Sequence, residues 1–306
     1  MKRLAVSLLE LLVALAITTI LMAILLPSVI SIRESSRAIT CKNNLHQIGL
    51  GISDFESANK RLPVGNQLME EILPFTEAED FAASIKAGDY SKLGPDFAVC
   101  PSDPLATREM LRISYRVNAG SNLDLNNGIW LVRANRGIRQ ADVIDGASNT
   151  SFVAEKLVLQ MRSPTDSTAY DPHRQPLRWH WLVNQHYGDG QETAFVEWCL
   201  SSASHNAPLS RTYEGWDGYG LNHLPYNHLL PPGERSFYNI TSRGIRVGQP
   251  ITESGGLPPS SMHSNGIVNI LRVDGSVHSV SRGIDLVTWH ALGTRNGHEI
   301  GQSTSD

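Results

Sequence analysis

Apolar and polar positions along the 306-residue chain fall into three regimes. From Val6 to Ile32 almost every residue is apolar and Glu10 is the one acid. A helix of that length crosses a hydrocarbon core of about 30 Å. Between 33 and 60 the pattern changes: Ala38, Cys41, Leu45, Ile48, Ile52 and Phe55 recur three and four apart, while Arg37, Lys42, Asn43, Asn44 and Gln47 fall largely elsewhere. That spacing predicts an amphipathic helix. The two stretches read as one helix to about Asn59, roughly fifty residues and about 80 Å long, lipid-embedded first and packed on a globular body second. Two helices broken at Pro27 are the alternative, because proline removes a backbone donor. In either case the stripe needs a sheet to cover it.

Beyond residue 60 the elements shorten. Arg61-Leu62-Pro63 ends the helix, and Leu68 to Leu73 and Ile85 to Leu93 read as helical pieces around Pro74. Phe97 to Cys100 reads as a strand entering the tight loop Pro101-Ser102-Asp103-Pro104. Ile113 to Asn118, Gly128 to Val132 and Ser151 to Glu155 read as further strands, with Asp145-Gly146 as a turn. Residues 159–252 hold Trp179, Trp181, Trp198 and Trp216 among many Tyr and His and few clear strands, so they read as a loop-rich aromatic insertion. Gly266 to Val273, Asp274-Gly275 and Ser276 to Val280 form the pattern of a hairpin with a two-residue type I′ turn. Asp285 to Leu292 reads as a short closing helix. The expected organisation is a leader (1–5), a spanning helix (6–32), its amphipathic continuation (33–60) and an α+β body (61–306) in which that helix packs on an antiparallel sheet, with the hairpin and closing helix at 263–297.

Glu10 is the informative residue of the first regime. A carboxylate within a membrane helix costs about 2.5–3.5 kcal/mol on insertion scales, so a partner or a function must compensate. A cleaved secretory signal accounts for Lys2 and Arg3, but it calls for an apolar core of about 7–15 residues and a small-x-small cleavage site. A plain anchor explains the length and leaves Glu10 unexplained. Ser7-Leu8-Leu9-Glu10-Leu11-Leu12-Val13, behind the short basic leader, resembles the processing and methylation segment of type IV prepilins and pseudopilins. The resemblance implies that a membrane peptidase cuts between Ala5 and Val6 and that Val6 is then methylated. It also implies that Glu10 pairs with the amino terminus of a neighbouring subunit, a buried carboxylate matched to an ammonium being cheaper than either alone. Pro27 stands where such proteins carry a proline; Ala5 and Val6 replace the usual Gly and Phe.

Further blocks extend the resemblance: Arg33-Glu34-Ser35-Ser36-Arg37, Cys41-Lys42-Asn43-Asn44-Leu45, Cys100-Pro101-Ser102-Asp103-Pro104, Asp145-Gly146-Ala147-Ser148-Asn149-Thr150 and Asn227 to Pro232. Together with His263, ten intervening residues and Asp274-Gly275, they are similar to a large prepilin-type family of unknown function abundant in planctomycete bacteria, whose closing motif has nine intervening residues. The resemblance implies family membership and no established activity.

Composition narrows the function classes. A formal net charge of −4 leaves no basic footprint for nucleic acid. The expected partners are the membrane, a prepilin peptidase and other pilin-like subunits. The basic leader orients the amino terminus to the cytoplasm and the body outside the inner membrane. Of Cys41, Cys100 and Cys199, two can pair, as a Cys41–Cys100 bridge would; three buried inert thiols are the alternative.

No nucleophile elbow, phosphate loop or zinc-protease helix is present, so no enzyme is expected. His180 with His186, Cys199 with His205 and His223 with His228 lack structural zinc spacing, so no metal is expected, and no cofactor. Calcium is permitted by hard oxygens at Asp217 to Asn222 or at Asp274. Trp179, Trp181 and Trp216 form either a platform for glycan or protein or ordinary core. His263 and Asp274 are expected at opposite ends of one strand, in structural roles. A pilin-like subunit is thus the leading expectation, and an anchored surface binding module the second.

Overall fold

The computed structural model describes residues 8–87, 89, 94–106, 113–131, 136–158, 176–178, 180–183, 185–188, 190–201, 204, 225–239 and 255–297. Helix α1 (Leu8–Asn59) is 52 residues long, about 80 Å at 1.5 Å per residue, and it runs through position 27 without interruption. Its two halves differ as the pattern predicts. Among the described side chains between Leu8 and Ile32 the large apolar ones are exposed, whereas Cys41, Leu45, Ile48, Ile52 and Phe55 are all buried. The helix stops at Lys60, whose φ of 57° and amide bond to the Glu56 carbonyl (2.7 Å) form a left-handed cap. Arg61 then makes a two-pronged pair with Glu71 at 2.6 and 3.1 Å. That pair holds α2 (Leu68–Ile72) beside the end of α1, and a single-turn 3-10 segment (Leu73–Phe75) and α3 (Glu79–Lys86) follow. Of the second predicted helical piece, Ile85 to Leu93, only the first two residues fall in α3, which ends at Lys86, and residues 88 and 90–93 lie outside the described residues.

The stripe of α1 is covered by a four-stranded sheet in the order β1-β2-β6-β7. Its strands are β1 (Tyr115–Val117), β2 (Ser151–Glu155), β6 (Ile267–Arg272) and β7 (Val277–Ser281). All three pairings are antiparallel. Because successive side chains alternate between faces, Val153 and Leu271 join the core beneath α1, while Ala154 and Ile270 face a second core. Alternation lapses at Phe152, which shares the α1 side with Val153 where the register shifts between Ser151 and Val153. Helix and sheet approach closely: a Cβ on Gly49 would lie 2.9 Å from Leu271 Cδ1.

Two predicted strands are not strands. Residues Asp96–Ala98 form a 3-10 turn, closed by Ala98 N to Pro95 O (3.1 Å) and Val99 N to Asp96 O (3.2 Å). Those i to i+3 bonds satisfy locally the groups a ladder would use. Gly128 to Leu131 is irregular, with Trp130 N donating to Asn118 O (2.9 Å). The hairpin is correct in its strands but not in its turn. Gly275 N donates to Arg272 O and Arg272 N to Ser276 O, and of Asp274 and Gly275 only Gly275 has positive φ (85°). This is a three-residue loop with glycine at the left-handed position rather than type I′, which requires positive φ twice.

The region read as insertion has a core of its own. Strands β3 (His180–Leu182) and β4 (Ser236–Tyr238) are parallel, and β5 (Gly255–Gly256) pairs antiparallel with β4. Helix α4 (Glu192–Leu200) lays Phe195, Val196 and Cys199 against Trp181, Val183, Tyr187, Leu229, Leu230 and Phe237. On the far face of the main sheet, α5 (Leu286–Gly293) covers Ala154, Ile270 and Val280 with Trp289. Asp285 caps α5 by accepting from Thr288 N (2.9 Å).

Candidate functional site

Helix α1 leaves its exposed stretch and meets the body at Glu34, Arg37 and Cys41, residues three to seven apart on one helix face. Cys41 is joined to Cys100 by a disulfide with Cα atoms 5.1 Å apart. The bridge decides between the two cysteine arrangements left open by the sequence, and leaves Cys199 as a buried thiol whose pKa burial pushes well up. Asn44 adds a second tie, donating through Nδ2 to Val99 O at 2.8 Å.

His263 sits at the centre of the junction, immediately before the 3-10 turn (Ser264–Gly266) that starts β6. Its Nδ1 is 3.0 Å from Glu34 Oε1, and its Nε2 is 3.0 Å from Glu155 Oε1. With its side chain only 1% exposed, the ring is enclosed by two carboxylates, and both nitrogens donate when the imidazole carries its proton. Burial opposes that charge, yet the bonds and charges of Glu155 and Glu34 outweigh it and raise the His263 pKa above 6.5. Glu34 is opposed by burial in the same way, but bonds from His263, Arg37 and Ser102 hold it below its ordinary 4.5.

Outer contacts fix the ring's partners. Glu155, the last residue of β2, accepts from Asn269 N (2.8 Å) and from Asn269 Nδ2 (2.9 Å). Glu34 accepts from Ser102 Oγ (3.0 Å) and pairs with Arg37 at 2.7 Å. Cys100 Sγ lies 3.9 Å from His263 Nε2. Among the described residues, Cys41, Cys100, Glu155 and His263 form a group whose donor atoms all lie within 4.8 Å of one another. In the disulfide state the two sulfurs are bonded to each other and offer no thiolate.

Other expected residues serve the scaffold. Asp103 accepts from Leu105 N (3.0 Å) and Val158 N (2.8 Å). Asp145 accepts from Thr294 Oγ1 (2.8 Å) and Gly297 N (2.7 Å), holding the segment after α5, and Gly146 takes positive φ (97°). Asp274 accepts from Ser276 N and Oγ within the hairpin loop, which leaves it and His263 at opposite ends of β6. Asn43 is exposed. Glu10 lies in the first turn of α1 on the exposed apolar stretch.

Trp181 corrects the platform reading. It is 2% exposed, packed in the core under α4 with the Arg235 guanidinium 5.1 Å above its ring. Stacking on a sugar needs an open face, and this one is closed. Ala5, Val6, Trp179, Trp216, His205, His223 and the Asp217 to Asn222 loop lie outside the described residues. His228 is fully buried and stacks on Trp289 at 3.8 Å.

Sequence reasoning passed over Glu34 and Glu155 as site residues. Two signals were available. Glu34 stands seven residues before Cys41 and so shares its helix face, and Glu155 closes a strand that is otherwise apolar or small, where an acid is costly unless paired.

The chain belongs to the family described as "Protein of unknown function (DUF1559)", which matches residues 30–287. No curated protein and no solved structure matches the chain. Helix α1 is long and apolar enough to cross a membrane, which fits a membrane-anchored surface protein.

Proposed function

We propose that this protein is a membrane-anchored, pilin- or pseudopilin-like structural subunit without enzymatic activity. Its amino terminus starts on the cytoplasmic side of the inner membrane, a prepilin peptidase cuts between Ala5 and Val6, and α1 assembles beside other pilin-like subunits. The observation that carries this reading is the division of one helix: Leu8 to Ile32 exposes an apolar surface to its surroundings, while the stripe from Cys41 to Phe55 is buried in its own body. A helix used only as an anchor needs no rigid continuation into the fold. Here the disulfide and the Glu34–His263–Glu155 relay brace the point where the helix enters the body, as load transfer from a filament core to a surface domain requires. Glu10, in the first turn of α1, is the residue for the neighbour's terminus.

The test is the mass of the amino-terminal peptide in native membranes, together with crosslinking of a Glu10→Ala variant. Methylated Val6 at the terminus, and normal insertion with loss of lateral crosslinks in the variant, are expected. An intact Met1 with unchanged crosslinking would reduce α1 to an anchor for a surface binding module.

A further inference from the structure

We propose that, once the Cys41–Cys100 bridge is reduced, the junction is a binding site for one thiophilic divalent cation of the zinc class, held by both sulfurs, His263 Nε2 and a Glu155 carboxylate oxygen. This site does not depend on the pilin reading. Four donors of the right chemistry converge: their ligand atoms lie within 4.8 Å of one another. A tetrahedral zinc with bonds of about 2.0–2.3 Å holds its donors about 3.5 Å apart, so modest side-chain rotation closes the shell after the sulfurs separate. All four residues are buried, between 0% and 5% exposed, which keeps water from competing for the cation.

The outer shell is what distinguishes this group from a chance cluster. Metal-binding histidines characteristically donate their other ring nitrogen to a carboxylate, which fixes the tautomer and orientation. His263 does this already: Nδ1 is engaged by Glu34 Oε1 at 3.0 Å, aiming Nε2 at Glu155 and the sulfurs. Glu155 is in turn oriented by two bonds from Asn269, and Glu34 by Ser102 and Arg37.

The chemistry balances with a dithiol as reductant. It breaks the one S–S bond, delivers two electrons and two protons to give the Cys41 and Cys100 thiols, and becomes a disulfide itself. Cation binding then releases both thiol protons and the His263 Nε2 proton where that is present. Oxidation by a disulfide reverses the sequence and frees the cation. In both states Cys41 of α1 is tied to the body, through a covalent bond in one and through a shared cation in the other.

Cobalt(II) titration of the detergent-solubilised full chain tests this, before and after reduction with a water-soluble phosphine. The reduced chain is expected to bind one Co²⁺ with a thiolate-to-cobalt band and the intense visible bands of tetrahedral cobalt, to lose both when Zn²⁺ is added, and to bind none when oxidised. Glu155→Gln and His263→Gln should each weaken binding by about tenfold or more, while Cys199→Ser leaves it unchanged. If reduction unfolds the chain, stoichiometric Zn²⁺ must restore the near-ultraviolet circular dichroism of its buried tryptophans. Absence of tetrahedral cobalt, equal binding by the oxidised chain, unweakened binding in both variants, or a reduced chain that Zn²⁺ leaves unfolded would each overturn the proposal.

Discussion

Two histidines of this protein are buried almost equally, and their surroundings push their pKa values in opposite directions. His263 lies beneath α1 with a carboxylate oxygen 3.0 Å from each ring nitrogen. His228 lies on the other side of the main sheet, stacked on Trp289, with Nδ1 donating to Trp289 O (2.8 Å) and Nε2 3.3 Å from Tyr226 Oη. Tyr226 is bonded in turn to Ser151 Oγ at 2.6 Å. Among the described residues no carboxylate bonds the His228 ring, so desolvation wins and its pKa is lowered to about 3. At His263 desolvation loses to Glu155 and Glu34, and the pKa rises. Burial sets the stakes; the groups facing the ring nitrogens decide the sign.

The largest effect is expected from Glu155→Ala. Removing one partner of a buried charged pair leaves the other uncompensated and costs about 3–5 kcal/mol, here with two Asn269 donors orphaned as well. Urea unfolding measures it, and a loss below about 1 kcal/mol would mean that His263 is neutral and resembles His228 after all. Replacing both cysteines of the bridge by serine comes next. Disulfides contribute about 2–4 kcal/mol in general, and a sequence separation of 59 puts this loss near the top of that range. Hydrogen exchange should then quicken around Glu34 to Cys41 and not around Trp289; equal quickening at both would dissolve the distinction between the regions.

pH separates the two histidines in the oxidised, metal-free chain. His228 has a folded pKa below its unfolded 6.5, so the unfolded chain binds more protons under acid conditions. Its contribution is full above about pH 6.5 and is lost as pH falls toward 3, about 2 kcal/mol of it by pH 5. His263 has the reverse sign: its contribution is full below 6.5 and is lost as pH rises through its raised folded value. Glu34, lowered from 4.5, adds to the loss in acid below that value. His228→Asn should flatten the limb of a stability–pH curve between about pH 6.5 and 5, above the range in which Glu34 titrates, and His263→Gln the alkaline limb, with a smaller change in strong acid through Glu34. His228→Asn flattening the alkaline limb, or His263→Gln flattening the limb between about pH 6.5 and 5, would refute the assignment. The smallest effect is Tyr226→Phe, which breaks neutral hydrogen bonds only and should cost about 1–2 kcal/mol in thermal unfolding. A cost near that of Glu155→Ala would mean that charge runs through the His228 chain too.

Much of the scaffold was legible because local periodicity carries it. The stripe from Cys41 to Phe55 appeared in the sequence as a three-four spacing, and the same residues are buried against the sheet. The exposed apolar half of α1, strand β2 and the two strands of the closing hairpin were equally plain, since a run of one character or an alternation of two needs no distant partner to be recognised. Turn chemistry was legible to one residue: glycine at 275 announced a positive φ, and the structure uses only that one.

What the tertiary structure alone decided depends on residues far apart in the chain. Phe97 to Cys100 looks like a strand, but Pro95 and Asp96 close a 3-10 turn and the bridge to Cys41 draws Cys100 onto α1. Trp181 reads in sequence as core or as an exposed platform, the core reading being favoured; packing against α4 and β4 makes it core. The raised pKa of His263 is the extreme case, because its carboxylates lie 229 and 108 residues away. Composition determined that this chain has histidines, acids and cysteines to bring together. Whether a given histidine meets two carboxylates or a tryptophan ring is set by which face of one sheet it ends on, and no local pattern encodes that.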